Sequence, residues 1–181
     1  MKLVKKIKSL LIPKTGQTIV YDTDDDGETQ IGWWSKRTIA NNRVRYVTKT
    51  IGGDDIVFDR ATGLTWAADG AESGCNGGGA DTWAFALDYA ENLNFAGFTD
   101  WRLPTAKEGM AIIKMDYATW FATKPLIDDP PFVNFQISNY WTSTTYPSNT
   151  ANAYKLNLDS GAVSSNPKAN AMYIVCVRGG I

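Results

Sequence analysis

The 181-residue sequence contains no histidine. Its absence excludes imidazole as a general acid or base, nucleophilic triads with a His base, and imidazole metal sites. Cysteine is scarce too, with only Cys75 and Cys176. Two cysteines permit one disulfide or two free thiols, and they cannot build a four-sulfur zinc site. Neither sign of charge is in excess: the formal net charge is −1. No global field therefore draws the chain to nucleic acid. Long apolar runs are also missing. The start, MKLVKKIKSLLIPKTGQT, is basic, but its longest apolar run is Leu10-Leu11-Ile12. A classical secretory signal needs about 7–15 apolar residues, and a membrane helix about 20. The expectation is a chain that uses no classical signal peptide and does not insert into a membrane.

What is present is aromatic and polar. The hydrophobic share of 44% can build a sizeable core, and the length suits one compact domain with a short arm. Seven Trp and eight Tyr suit either a broad core or an aromatic contact face. Charge divides the first thirty residues. Residues 1–14 hold five Lys and no acid, whereas DTDDDGE at 22–28 holds five acids. We read residues 1–32 as an arm that serves assembly and 33–181 as the folded domain. Asp22, Asp24 and Asp26 alternate before Gly27, as at the start of a calcium loop. The twelfth position should be Glu and is Trp33, so the full motif fails. Calcium at these three carboxylates is weighed against a plain acidic turn.

Periodicity then sets out the elements. Arg43–Lys49 alternates, with Val44, Tyr46 and Thr48 on one face, and predicts a half-buried strand. IVFDRATGLTW predicts a hairpin whose strands are 56–58 and 64–66. GAESGCNGGGAD is loop, without the glycine spacing of a phosphate cradle. Trp83, Ala86, Leu87, Ala90 and Leu93 recur at helical spacing, and Asp81 or Thr82 can cap that helix. In LPTAKE, Thr105 and Glu108 form a capping box for a second helix, which Gly109 weakens. KPLIDDPPF, with Asp128-Asp129, reads as an irregular connection. Leu156 and Leu158 share a face with Tyr154, opposite Lys155, Asn157 and Asp159. DSGA is a turn, and Met172–Val177, apolar on both faces, predicts a central strand. Strands, two helices, then strands argue for an α+β fold rather than a βαβ array.

Several segments together are familiar. PKTGQT, VFDRATGLTW, NLNFAGFTDWRLPTAKE, YWTSTTY and CVRGG occur in this order. Over roughly residues 55–180 the chain resembles the Lcl C-terminal-like domain family, named after a collagen-like bacterial adhesin. The resemblance implies a C-type-lectin-like fold: twisted, mostly antiparallel strands with two helices and long loops. It also implies a binding module at the end of a surface or fibre protein. Related lectin-like folds include phage receptor-binding proteins diversified by retroelements, and formylglycine-generating enzymes. The chain departs from the family where Ala90 follows Tyr89. Members often carry Cys there, able to pair with the Cys before the final Val-Arg-Gly-Gly. Here Cys75 lies in the preceding loop, and a Cys75–Cys176 bond stays open. Glu108-Gly109 replaces the usual Glu-Leu. These changes suit a divergent, virion-borne member.

Candidate roles follow. Trp101 and Arg102 in DWRLP read as a pinned corner, with Asp100 able to accept from Arg102 or from a turn amide. Trp141 and Arg178 read as internal anchors, and Gly179-Gly180 permits a tight ending. SNYWTSTTYPSNTANAYKLNLDSG carries just two charges, Lys155 and Asp159, and mixes Tyr and Trp with Ser and Asn. That is the chemistry of adaptable contact surfaces, and it also suits sugars. Tyr140, Tyr146, Ser148, Asn149, Asn152, Asn166 and Asn170 are the candidate ligand residues of a 138–170 surface. The expected partners are a host-surface glycan or protein, with further copies of the chain or other virion proteins. The expected location is a virion, an extracellular space or a cell surface. The rival readings are a structural component of a particle or fibre, and a formylglycine-generating-like enzyme. The enzyme reading lacks a reactive cysteine pair in a recognisable site.

Overall fold

The structure is a computed structural model that describes residues 15, 17, 19–29, 45–114, 125, 127 and 131–179. The basic stretch 1–14, the boundary at residue 33, Arg43, Val44, Asp128-Asp129 and Gly180 lie outside the described residues.

Two consecutive glycines set the first hairpin. β1 (Tyr46–Ile51) turns at Gly52-Gly53 into β2 (Asp54–Asp59), with Ile51 opposite Asp54. Both glycines have positive φ, 66° and 102°, which tight hairpin turns require and side chains resist. β1 thus runs past the alternating stretch, and Thr48 is exposed rather than half-buried. Tyr46 of the predicted face does reach the core, edge-on to Phe132 at 5.4 Å.

The hairpin expected at 56–66 is present: β2 pairs antiparallel with β3 (Leu64–Ala67), Asp59 opposite Leu64. Its loop closes on the carboxylate of Asp59, which is 0% exposed. That carboxylate accepts from Arg45 Nε and Nη2 at 2.9 and 2.8 Å, from the Ala61 amide at 2.9 Å and from the Thr62 hydroxyl at 2.9 Å. A buried charge is tolerated only when paired and hydrogen-bonded in this way. Arg45 also donates to the Ala111 carbonyl at 2.7 Å, tying the hairpin to the second predicted helix.

β9 (Val177–Gly179) lies against β3 and completes a sheet of order β1-β2-β3-β9. A second sheet has the order β4-β8-β5-β6-β7. Its strands are β4 (Ala80–Asp81), β5 (Asn139–Thr145), β6 (Asn152–Asn157), β7 (Val163–Pro167) and β8 (Met172–Tyr173). Only β5 and β8 run parallel, meeting at Tyr140 and Tyr173. Met172–Val177 is therefore not the single central strand its apolarity predicts. Met172 and Tyr173 serve one sheet, Val177 serves the other, and Ile174–Cys176 pass between them fully buried. Being apolar all round marks a crossing through the core here.

The described helices are short. α1 (Asp26–Thr29) lies in the acidic segment. α2 (Trp83–Glu91) is capped by the Thr82 hydroxyl, which accepts from the Phe85 amide, and it buries Ala86 and Ala90. It ends earlier than the apolar spacing indicates. α3 (Ala106–Ile112) opens with the predicted capping box between Thr105 and Glu108. Gly109 has a packing reason: a Cβ there would lie 2.3 Å from Leu156 Cδ1 on β6. The helix can approach the sheet because that carbon is absent. Two sheets and few helices make the fold α+β.

Of the four expected anchors, Trp101 and Trp141 are buried, whereas Arg102 and Arg178 are only half-buried and pair near the surface. Trp101 is buried, donates to the Phe95 carbonyl at 3.0 Å and packs edge-on against Phe95. Trp141 is 0% exposed and donates to the Asp81 carbonyl at 2.9 Å. Arg102 is half-buried and grips both oxygens of Glu108 at 2.8 and 2.7 Å. Asp100 does not pair with Arg102. It accepts from Arg178 at 2.6 and 3.1 Å, and the Arg178 guanidinium lies 3.8 Å from the centre of the Phe98 ring. Arg102 is instead drawn to Glu108, whose carboxylate also closes the capping box.

Candidate binding cleft

The order of the second sheet creates the site. β7 is an edge strand, yet the chain continues directly to β8 on the far side of β6 and β5. Residues 168–171 must therefore cross the sheet. Lys168 pins this crossover: its amide donates to the Ala151 carbonyl at 2.9 Å, and its carbonyl accepts from the Trp83 amide at 3.0 Å. Its ammonium lies 4.0 Å from the centre of the Trp83 ring and donates to the Thr145 hydroxyl at 3.0 Å.

Between the crossover and the strands lies a cleft of about 590 Å³, within the range of small-ligand sites. Its polar lining comes from Ser138, Asn139, Lys155, Asn166 and Asn170, beside Met172. The register explains the gathering. Trp141 is opposite Lys155 and Asn139 opposite Asn157, so Asn139 and Lys155 share one face of the sheet. Tyr140 and Leu156, also opposite each other, point to the other face and are buried. Lys155 Nζ donates to Asn139 Oδ1 at 2.9 Å. Among the described residues, the side-chain amides of Asn166 and Asn170 have no hydrogen-bond partner in the protein. Each offers a donor and an acceptor to a ligand.

The family model of the Lcl C-terminal domain matches residues 55–178, well over half of the chain. The chain belongs to the Lcl C-terminal domain family. No protein of curated function matches it. The resemblance carried by DWRLPT and its neighbours is thereby established, and the cleft lies inside the matched region.

Within this Lcl C-terminal domain the sequence-predicted residues separate into three groups. Asn166 and Asn170 line the cleft. Tyr146, Ser148 and Asn149 belong to the β5–β6 turn and Asn152 opens β6; none of them lines the cleft. In that turn Asn149 Oδ1 accepts from the Ala151 amide at 3.1 Å, and Tyr146 packs edge-on against Tyr154. Tyr140 is a correction. It is 2% exposed, its hydroxyl accepts from the Gln136 amide at 2.7 Å, and burial pushes its phenol up from the usual range. A side chain held in this way cannot meet an outside ligand. Ser138, Asn139 and Lys155 were the unread members. The outward parity of Lys155, opposite Leu156, was the available signal.

Two other expectations concern the cysteines and the acidic segment. Cys75 and Cys176 are free thiols, both buried. The Cys176 amide donates to the Gly74 carbonyl at 3.1 Å, so the two segments adjoin. Burial, aided by the nearby Cys176, pushes the Cys75 thiol well up, and burial pushes Cys176 up to about 12. Such thiols are poor nucleophiles at neutral pH. Among the described residues, Asp22, Asp24 and Asp26 are not gathered into a group of three acidic, Cys or His side chains that could hold a metal ion. Asp22 accepts from the Thr23 amide at 2.8 Å, and Asp26 is engaged by the Thr15 hydroxyl. A local turn amide and a hydroxyl thus take up the Asp22 and Asp26 carboxylates. Among the described residues, no helix is long and apolar enough to cross a membrane.

Proposed function

We propose that this Lcl C-terminal domain is a non-enzymatic binding module that recognises a host-surface glycan through the cleft beside the β7–β8 crossover. In this reading the α+β core is C-type-lectin-like, and the chain is carried on a phage appendage or a cell surface. The observation that carries it is the cleft's lining. Amides, a hydroxyl and one ammonium converge on about 590 Å³. Amides that both donate and accept match adjacent sugar hydroxyls. A protein partner is less well matched, because interface hot spots draw on Trp, Tyr and Arg, and the only aromatic residue on the cleft is Tyr173.

The rival reading, a structural component of a particle, has its own observation. Ile51 and Phe58 are exposed large apolar residues, and the register puts them on one face of β1–β2. Such a face can pack against a neighbour. Glycan-panel binding separates the readings. Asn166→Ala/Asn170→Ala should abolish capture, while Tyr146→Ala/Asn149→Ala, outside the cleft, should leave it intact. No capture on a panel that includes host polysaccharides would favour the structural reading.

A further inference from the structure

The two cysteines of the chain are far apart in sequence and meet in the fold. Cys75 lies in the kinked turn Ser73–Gly78, and Cys176 in the buried stretch that passes between the sheets. The Cys176 amide that donates to the Gly74 carbonyl at 3.1 Å also reaches the Cys75 sulfur. The Cys176 carbonyl accepts from the Ala67 amide at 3.0 Å, which fixes that side of the pair on β3. A backbone bond between adjoining segments sets facing Cα atoms about 4.5–5.5 Å apart. That lies inside the usual disulfide span of about 4.4–6.8 Å. No other cysteine competes, since the chain has only these two. The cover over the pair is local. Tyr89 is half-buried beside both sulfurs, and its hydroxyl donates to the Ser73 carbonyl at 2.6 Å. Past Cys75 the turn runs through Asn76, Gly77 and Gly78, with positive φ of 55°, 59° and 76°. The amides of Cys75 and Gly77 both donate to the Glu72 carbonyl, so short-range bonds hold the turn shut. A segment closed in this way can open without unfolding the rest.

We propose that Cys75 and Cys176 are a latent disulfide, which in an oxidising environment locks the 73–78 turn to the segment joining the two sheets. The free thiols of the structure are its reduced form, the state that a reducing cytosol maintains. The oxidant is a small-molecule disulfide of the glutathione class. While the turn is open, one thiol loses its proton and attacks a glutathione sulfur. That breaks the S–S bond of the oxidant and releases one reduced glutathione. The second thiol then loses its proton, attacks the mixed disulfide and releases the other glutathione. One S–S bond forms within the chain as one breaks in the oxidant, and the two thiol protons end on the two glutathiones. Once the turn closes, burial hides both sulfurs and disfavours their thiolates. The bond is therefore made or lost through the open turn. It closes roughly 100 residues of chain, so it restricts the unfolded state strongly. The latch is independent of what the cleft binds.

The test refolds the full chain from urea in a glutathione buffer of fixed oxidised-to-reduced ratio, with refolding in reductant as the control. Mass spectrometry after an acid quench should show the loss of two hydrogens and a peptide that links Cys75 to Cys176. Any chain with two cysteines can close on itself, so the deciding readout is the influence of the fold. The ratio of bonded to open chains should be about thirtyfold or more higher in native buffer than in concentrated urea. The bonded form should correspondingly unfold at a urea midpoint about 1 M or more above that of the reduced form. Tyr89→Phe leaves the Ser73 carbonyl without its donor and should speed oxidation of the folded, reduced chain about fivefold. An unchanged rate in that variant would overturn the turn as the route. Equal ratios in native buffer and urea, or a bonded form no more stable than the reduced one, would overturn the latch itself. So would mixed disulfides or linked dimers accumulating in place of the internal bond.

Discussion

Asp59→Asn should be among the most damaging single changes that preserve side-chain volume. The native carboxylate is fully buried and takes four hydrogen bonds, two of them from Arg45, whose side chain is only 15% exposed. An amide keeps one acceptor oxygen but turns an N–H₂ toward the guanidinium at a position where the native contact is 2.8 Å. Breaking a buried pair from one side costs about 3–5 kcal/mol. The retained oxygen can still serve Ala61, so the expected loss is about 3–4 kcal/mol. Against a typical domain stability of about 5–15 kcal/mol, that is a large fraction. In urea, with a slope of about 2 kcal/mol/M, the midpoint should fall by about 1.5–2 M with the slope unchanged. Thr62→Ala, which removes one of the four donors, should cost about 0.5–1.5 kcal/mol. Arg45→Met/Asp59→Leu should cost less than the sum of its single changes, because no buried charge is then left facing a lost partner. A loss under about 1 kcal/mol for Asp59→Asn would refute the view that this carboxylate holds the hairpin.

Other consequences can be checked in the same way. Gly109→Ala gains about 1 kcal/mol of helix propensity but forces a carbon toward Leu156, which is 1% exposed and has no free space to yield into. Overpacking costs about 1–3 kcal/mol, so a net loss of up to about 2 kcal/mol is expected by chemical denaturation. Leu156→Ala in the same chain should relieve part of it. Both thiols should resist iodoacetamide at pH 8 in the native protein and react fully in denaturant, as counted by mass spectrometry. Burial works to raise the Glu108 pKa, but the Arg102 pair and the Thr105 amide outweigh it and leave a net lowering. A carboxyl with a lowered folded pKa contributes stability above its unfolded value of about 4.3 and loses it as pH falls through the folded one. Melting temperature should therefore drop on acidification below about pH 4.3, and Glu108→Gln should flatten part of that slope.

The sequence was most legible where structure is local. Thr105 and Glu108 form a capping box that needs only residues 105–108, so its partners can be named before any fold is known. The turn after β6 and the hairpin at 56–66 were legible for the same reason. What could not be read depends on distant segments. Met172–Val177 looks like one buried strand, and only the existence of two sheets reveals it as a crossing. Tyr140 sits among polar residues in the chain, but register turns it inward opposite Leu156. Local sequence offers Asp100 either Arg102 or a turn amide, whereas in the fold α3 supplies Glu108 to Arg102 and β9 brings Arg178 to Asp100. Asn166 and Asn170, two of the five polar residues lining the cleft, were visible as amide-rich sequence. Lys155 and Asn139 were missed because the cleft exists only once residues 168–171 cross the sheet.

The placement of β9 carries a cost during synthesis. β3 emerges early from the ribosome, but its second neighbour arrives only when residues 177–179 have been made. Until then a hydrophobic strand has an unpaired edge, open to pairing with other nascent chains. The first hairpin can fold early, but neither sheet can close, since Met172 and Tyr173 are also late. Chaperone demand and inclusion-body formation on overexpression should therefore track the delay before residues 177–179 are made, and lower growth temperatures should favour recovery of the native protein.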